Sequence, residues 1–231
     1  MRVLLLLPFL VLLPAVAAAQ PACPPRGNPV VSVELIDPDP RILPPLPAVR
    51  LREDAGGAQD GDFPHHLGLT VSRVEWRSDI TVRSRGAEGG PVCAVPAEVR
   101  LRLVQAEHSI RLAREVPPGG CLAGEVLAHE RRHVEINRRT LREAATELRT
   151  LTRNWVARAE RRAPNLNEAA NGLQDELSRA VEPVLERLRA AREAGHAAID
   201  TPEEYTRISR VCPGDQRKLR MALRPRRAGM D

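Results

Sequence analysis

The chain has 231 residues, a formal net charge of +5 and 28% charged residues. Lys218 is its only lysine, and the arginines are interspersed with glutamates. Such mixed surfaces are typical of solvated ion pairs and argue against a nucleic-acid partner. The length is sufficient for one medium-sized domain with a hydrophobic core.

The first 19 residues predict a secretory signal peptide. Arg2 supplies a positive start, residues 3–13 are apolar apart from Pro8, and three alanines at 17–19 form a small-residue cleavage site. The apolar run is too short for a stable membrane span, and no later segment approaches the required length. We therefore expect a secreted or periplasmic protein cleaved near Ala19, with an uncleaved anchor as the alternative.

The four cysteines form an even number without any CxxC pair. In an exported chain this pattern indicates two disulfides rather than a thiolate metal site. Three pairings are possible. We favour Cys93–Cys121, which would join the sheet to the first long helix, and Cys23–Cys212, which would join the two ends of the mature chain.

Residues 20–216 read as a single domain with a β-rich first part, at about 28–116. Alternating apolar and polar residues predict short strands there. The predicted strands cover residues 30–36, 67–75, 80–83, 92–104 and 109–116, with a turn at 105–108. The fold class is thus α+β, with a small, mostly antiparallel N-terminal sheet.

Helical periodicity begins at Cys121 and fills the segment 121–211. One apolar face repeats every seven residues from Leu127 to Trp155, and this helix should end near Arg162. A second amphipathic helix follows, capped by Asn165 or Asn167. We expect a long antiparallel helical hairpin. Residues 217–231 are predicted to be a basic disordered tail.

Residues 129–133, His-Glu-Arg-Arg-His, form an HExxH motif on the first helix. Positions i and i+4 share a helix face, so His129 and His133 can hold one Zn2+ ion. Glu130 can then deprotonate a zinc-bound water. The alternative is a pair of solvent-facing histidines without a metal.

A catalytic zinc site needs a third protein ligand. The motif lies about 33 residues before the turn at Pro164, so the returning helix reaches the same level near residue 198. This geometry favours Asp200 as the third metal ligand, with Glu203 next and His196 as a further alternative.

Thr201 to Glu204 also has the pattern of a helix start, with Thr201 as the cap. This pattern explains Glu204 without a metal. Tyr205, the only tyrosine of the chain, is a candidate catalytic residue that would donate a hydrogen bond to a developing oxyanion. Packing under the sheet is the alternative for this side chain.

Residues 126–134 (VLAHERRHV) and 199–205 (IDTPEEY), preceded by a β-rich half, resemble an uncharacterised group of secreted bacterial zinc-metallopeptidase-like proteins. The resemblance spans roughly residues 67–212. It implies that His129 and His133 are metal ligands and that Glu130 is the base. Arginine at both positions between Glu130 and His133 departs from the uncharged residues usual in zinc peptidases.

Together these features predict an exported zinc-dependent peptidase or peptidase-like hydrolase with a peptide or protein substrate. The alternative is a non-enzymatic periplasmic binding or envelope-scaffold protein whose helical hairpin presents a surface to a partner. Solvent-facing histidines without a nearby carboxylate would favour that alternative. A purely structural zinc site would have a closed fourth position.

Overall fold

A computed structural model of the chain describes residues 21–56, 66–86 and 88–224. The predicted signal peptide with its cleavage site, and residues 225–231 of the predicted tail, lie outside these ranges. The described elements are β1 (Val30–Ile36), β2 (Arg41–Ile42), α1 (Ala48–Asp54), β3 (Gly68–Gly86), β4 (Val92–Leu112), α2 (Cys121–Val156), β5 (Arg161–Ala163), α3 (Leu166–Ala197), α4 (Pro202–Arg210) and α5 (Pro213–Ala222).

A long hairpin of β3 and β4 forms the centre of the sheet, and the two strands pair antiparallel over their whole lengths. The predicted turn at 105–108 is wrong, because β4 continues through it. Gln105 is only 2% exposed, and its side-chain amide donates hydrogen bonds to the main-chain oxygens of Arg73 and Glu107. Two of the polar residues that resemble a turn, Gln105 and His108, are therefore buried in the protein.

Along its other edge, β4 pairs with two short strands whose direction differs from the prediction. β1 runs parallel to residues 98–104 of β4, and β2 runs parallel to residues 109–110. The strand path β1-β4-β2 is therefore parallel, and the predicted mostly antiparallel sheet is wrong. Alternating polarity indicates strands but not their direction. The chain between β1 and β4 passes through α1 and β3, which is long enough to bring it back in the same direction.

The predicted antiparallel helical hairpin is formed by α2 and α3. His133, early in α2, contacts His196 near the end of α3, whereas Trp155 at the end of α2 donates to Glu176 in the first part of α3. The hairpin packs on the sheet around the main hydrophobic core. The core includes the fully buried Leu101, Leu103, Leu141, Leu148, Leu173 and Leu177.

The boundary between α2 and α3 differs from the prediction at one end. α2 ends at Val156 rather than near Arg162, because residues 161–163 pair with the start of β4 as β5. Asn165 is the N-cap of α3, and its side chain accepts the main-chain N–H of Glu168 at 3.0 Å.

Two disulfides are present, as predicted, but their pairing is not the predicted one. Cys23 bonds to Cys93 and Cys121 bonds to Cys212. The first therefore joins the segment before β1 to β4, and the second joins the start of α5 to the start of α2. Sequence alone does not distinguish the three possible pairings, because the choice depends on which cysteines the fold brings within bonding range.

The C-terminal helices α4 and α5 pack beside the first turns of α2. Residues 217–222, predicted to belong to a disordered tail, form the last part of α5. Ile208 and Leu219 join Leu122 and Val126 in a second, smaller core. This core lies beside the HExxH motif.

Two disulfides are typical of proteins that fold in oxidising compartments outside the cytosol. Within the described residues, no helix has both the length and the apolar character to cross a bilayer.

Candidate metal centre

The HExxH motif begins in the third turn of α2, and its first two side chains are buried. His129 is 5% exposed and Glu130 is 4% exposed. One helical turn separates His129 from His133, and their Nε2 atoms lie 3.1 Å apart. The helix thus directs both nitrogen atoms at one point.

Asp200, two residues before α4, completes this group. Its Oδ1 lies 3.0 Å from Nε2 of His129 and 3.2 Å from Nε2 of His133. The antiparallel return of α3 therefore brings Asp200 to the level of the motif, at the position predicted from helix length. His129, His133 and Asp200 are the one group of three or more potential metal ligands found among the described residues.

The three ligand atoms have a spacing suited to a small divalent cation. Tetrahedral zinc with bonds of about 2.0–2.1 Å separates neighbouring ligand atoms by about 3.3–3.4 Å. The observed triangle has sides of 3.0, 3.1 and 3.2 Å. Two imidazoles and one carboxylate form a donor set that proteins use for Zn2+ and for non-haem iron. The side chains of His129, His133 and Asp200 therefore fit a metal ion.

Asp200 carries its negative charge in this group. Burial by itself raises the pKa of its carboxyl, but the hydrogen bond with His129 and the adjacent His133 ring outweigh burial and hold the pKa well below its usual range. Burial by itself lowers the pKa of His129. The hydrogen bond with Asp200 and the charge of Glu130 outweigh burial, so the pKa of His129 is raised above its usual value.

His196 lies behind His133 rather than in the ligand group. The Nδ1 atoms of the two rings are 2.8 Å apart, and Nε2 of His196 lies 3.1 Å from Oδ1 of the buried Asn137. An amide oxygen only accepts, so His196 donates from Nε2 and accepts at Nδ1. His133 must then carry its proton on Nδ1, which leaves the lone pair of its Nε2 directed into the ligand group. This chain of hydrogen bonds fixes the tautomer that metal binding requires.

Arg132 and Glu204 lie behind His129. Nη2 of Arg132 is 2.8 Å from Nδ1 of His129, and a guanidinium only donates, so this ring nitrogen accepts and Nε2 donates to Asp200. Oε1 of Glu204 lies 3.4 Å from the same Nδ1, and Glu204 forms an ion pair with Arg132. Hydrogen bonds from Arg207, together with the charge of Arg132, lower the pKa of Glu204 to about 2. The carboxylate thus compensates Arg132, while Arg131 is exposed to solvent. The charge of Arg132 is therefore balanced by Glu204, although its guanidinium contacts Nδ1 of His129.

Glu203 is not brought to the site. Thr201 caps α4 as predicted, accepting the main-chain N–H of Glu204 at 3.2 Å. The first turn of the helix then exposes Glu203 and directs Glu204 towards His129. The candidate ligand Glu203 is therefore outside the group, and Glu204, assigned from the sequence to capping alone, is in contact with it.

Glu130 is seated against the start of β3. Thr70 donates a hydrogen bond from Oγ1 to Oε2 of Glu130 at 2.7 Å and contacts the main-chain oxygen of Glu130 at 3.1 Å. Burial raises the pKa of Glu130 above its usual value, and the Thr70 hydrogen bond and the neighbouring histidines oppose that rise. Thr70 and Asn137 were not identified from the sequence, because their partners are distant in the chain.

A cavity of about 570 Å3 adjoins the group. His129, Glu130, His133 and Asp200 all line it. Tyr205 lines it as well, with its ring centroid 6.3 Å from that of His129. The candidate catalytic tyrosine thus shares a cavity with the candidate ligands.

No family model matches the chain, and neither the curated proteins nor the solved structures contain a significant match. The functional argument therefore depends on the geometry of the site.

Proposed function

We propose that the protein is an exported zinc-dependent peptidase, or a closely related hydrolase, that acts on peptide or protein substrates. The observation that carries this proposal is the triangle of His129 Nε2, His133 Nε2 and Asp200 Oδ1 beside the buried Glu130. The resemblance of residues 126–134 to secreted zinc-peptidase-like proteins agrees with it.

His129, His133 and Asp200 would hold the metal, which as a Lewis acid would polarise a water molecule and the substrate carbonyl. In this proposal the carboxylate of Glu130 takes a proton from the attacking water and passes it to the nitrogen of the leaving amine. Thr70 keeps that carboxylate in place through its hydrogen bond. Tyr205, in the same cavity, donates from its hydroxyl to the substrate oxygen as negative charge develops.

The proposed location is the periplasm or the extracellular space, after cleavage near Ala19. Both disulfides support export, because such bonds persist in oxidising compartments.

The non-enzymatic scaffold hypothesis is less well supported. It requires histidines that face solvent, whereas His129 is 5% exposed and Asp200 lies 3.0 Å from it. A structural zinc site would have no space beside it for water and substrate. The cavity of about 570 Å3 next to the ligand group favours a catalytic site instead.

Two measurements test the proposal. Metal analysis of the purified full chain should find one zinc per molecule, and replacing Glu130 with glutamine should abolish hydrolysis of a casein or peptide substrate while the zinc stays bound. The amide cannot take up the proton, but the ligands are untouched. Glu135→Gln, an exposed change on the same helix, is the matched control and should keep full activity.

Either of two results would refute the proposal. One is a protein that binds no zinc and whose stability is unaffected by chelators. The other is unchanged hydrolysis by the Glu130→Gln variant.

A further inference from the structure

The cavity beside the ligand group has two chemically different sides. One side carries the ligand group and Glu130. The other side is apolar and is built from β3, α2, α4 and α5. Its residues are Leu67, Leu69, Val126, Ile208, Leu219 and Leu223.

The apolar side is part of the folded core. Val126 is 2% exposed, Leu219 is 5% exposed and Ile208 is 7% exposed, and all three belong to the second hydrophobic core. The Cys121–Cys212 disulfide and the ion pair between Arg207 and Glu125, at 2.7 Å, attach α4 and α5 to α2. This wall is therefore preformed rather than built by a loop.

The charges lining the cavity exclude some occupants. Among the described lining residues, the only carboxylates are Glu130 and Asp200, which belong to the site itself, and Arg220 lines the cavity as an exposed cation. The apolar side thus offers no acidic partner for a lysine or arginine side chain, and burying an unpaired positive charge there is unfavourable. Leucine, methionine and aromatic side chains pay no such penalty.

From these observations we infer that the apolar side binds a large apolar side chain of the substrate, on a residue that flanks the scissile bond. This inference rests on the proposed peptidase function and specifies its substrate class. The volume of about 570 Å3 lies within the usual range of ligand pockets, about 300–1,000 Å3, and accommodates a large side chain together with adjoining backbone.

Digestion of a randomised peptide library by the zinc-loaded full chain tests the inference. Mass spectrometry of the products should show leucine, methionine, phenylalanine or tryptophan at one position beside the cleaved bond. We expect them to be favoured about tenfold or more over glycine and lysine, because burying such a side chain changes an equilibrium constant by one to two powers of ten. Cleavage without this preference would overturn the inference while leaving the proposed function intact.

Ser209 provides a variant that changes the cavity and not the metal site. It lines the cavity from α4, and its side chain is exposed. Ser209→Trp should fill the apolar side and lower kcat/KM for the favoured peptides about tenfold or more, with zinc content unchanged. Arg210→Trp, at the next position and outside the cavity, is the matched control. Equal activity of the two variants would contradict the inference.

Peptide hydroxamates separate this inference from the proposed function, because their binding requires zinc but no turnover. The wild-type zinc-loaded protein should bind a leucyl hydroxamate about tenfold or more tightly than the glycyl compound, and Ser209→Trp should remove that difference. A zinc-loaded protein that hydrolyses nothing refutes the peptidase function. The ratio of the two affinities then decides the inference, and equal affinities overturn it.

Discussion

Gly68 and Glu130 meet where the start of β3 passes over α2. A Cβ atom placed on Gly68 would lie 2.4 Å from Oε1 of Glu130 and 2.8 Å from its Cδ and Cγ atoms. Thr70, two residues along the strand, donates to the other carboxylate oxygen. The strand thus holds the proposed base on two sides, and only glycine allows the backbone to approach so closely.

Replacing Gly68 with alanine should therefore displace the carboxylate of Glu130. We expect hydrolysis to fall about tenfold or more, because small displacements of a catalytic group are costly, while zinc content is retained. Gly124→Ala is a suitable control, since a Cβ there meets nothing within 4 Å and should stabilise α2 by up to about 1 kcal/mol. Kinetics with parallel metal analysis measures both effects. Full activity in the Gly68 variant would show that Glu130 does not need its observed position.

The position of Asp200 was predictable from the sequence, but the roles of its neighbours were not. Helical rise and the turn at Pro164 are enough to bring residue 200 back to the level of the motif. The choice between Glu203 and Glu204 depends on the rotation of α4 about its axis. That rotation follows from contacts with Arg132 and the second core, which the local sequence does not contain.

At the scale of elements, the two disulfides have different roles. Cys23–Cys93 joins cysteines 70 residues apart, and both of them precede the motif in sequence. This disulfide ties the segment before β1 to the start of β4. Cys121–Cys212 joins cysteines 91 residues apart and holds the start of α5 against the start of α2. Only the second fixes the helices that follow Asp200.

Serine variants should separate these roles. Cys121→Ser with Cys212→Ser and Cys23→Ser with Cys93→Ser should each lower the free energy of unfolding, by up to about 4–5 kcal/mol from loop-closure entropy. Only the first pair should also weaken zinc binding, because it frees α4 and with it Asp200 and Glu204. Denaturant unfolding and zinc titration against a competing chelator measure the two quantities. Equal zinc affinity in both double variants would contradict this division.

The sequence of β4 predicts a turn at residues 105–108 that the fold does not contain. Its residues 105–108 are polar, which locally is typical of a turn. In the fold, Gln105 and His108 are 2% and 4% exposed, and Gln105 accepts a hydrogen bond from Arg192 of α3. The strand continues because a partner far away in sequence satisfies the side chain of Gln105. Such tertiary compensation leaves no pattern within β4 itself.

At the scale of the whole molecule, a buried polar layer joins the sheet to the helical hairpin. Arg192 donates to oxygen atoms of Ser72, Gln105, Asn137 and Thr140. Burial lowers the pKa of Arg192 to about 10. Burial also lowers the pKa of the neighbouring His108, and the charges of Arg138 and Arg192 add to this effect while Asp37 opposes it. The layer thus favours a neutral histidine.

His108 should make the stability of the metal-free protein dependent on pH. Its pKa in the folded state is below the ordinary 6.5, so on acidification the unfolded chain takes up the proton first. Stability is then lost as the pH falls below about 6.5, by at most about 1.4 kcal/mol per pH unit from this group. Urea unfolding with chelator at about pH 7.5 and about pH 5.5 measures the loss, which should be smaller in His108→Gln. An identical loss in both proteins would exclude His108 as the cause.

The order of the ligands along the chain has a consequence for biosynthesis. Protein synthesis proceeds from the N-terminus, so His129 and His133 emerge from the ribosome well before Asp200, and Cys212 emerges later still. A chain that ends before Asp200 therefore contains the two imidazoles without the carboxylate, and one that ends before Cys212 lacks the disulfide that holds the C-terminal helices to α2. Under the proposed function, the enzyme acquires its activity only when nearly the whole chain has been made, so incomplete chains pose no proteolytic threat to the cell that produces them.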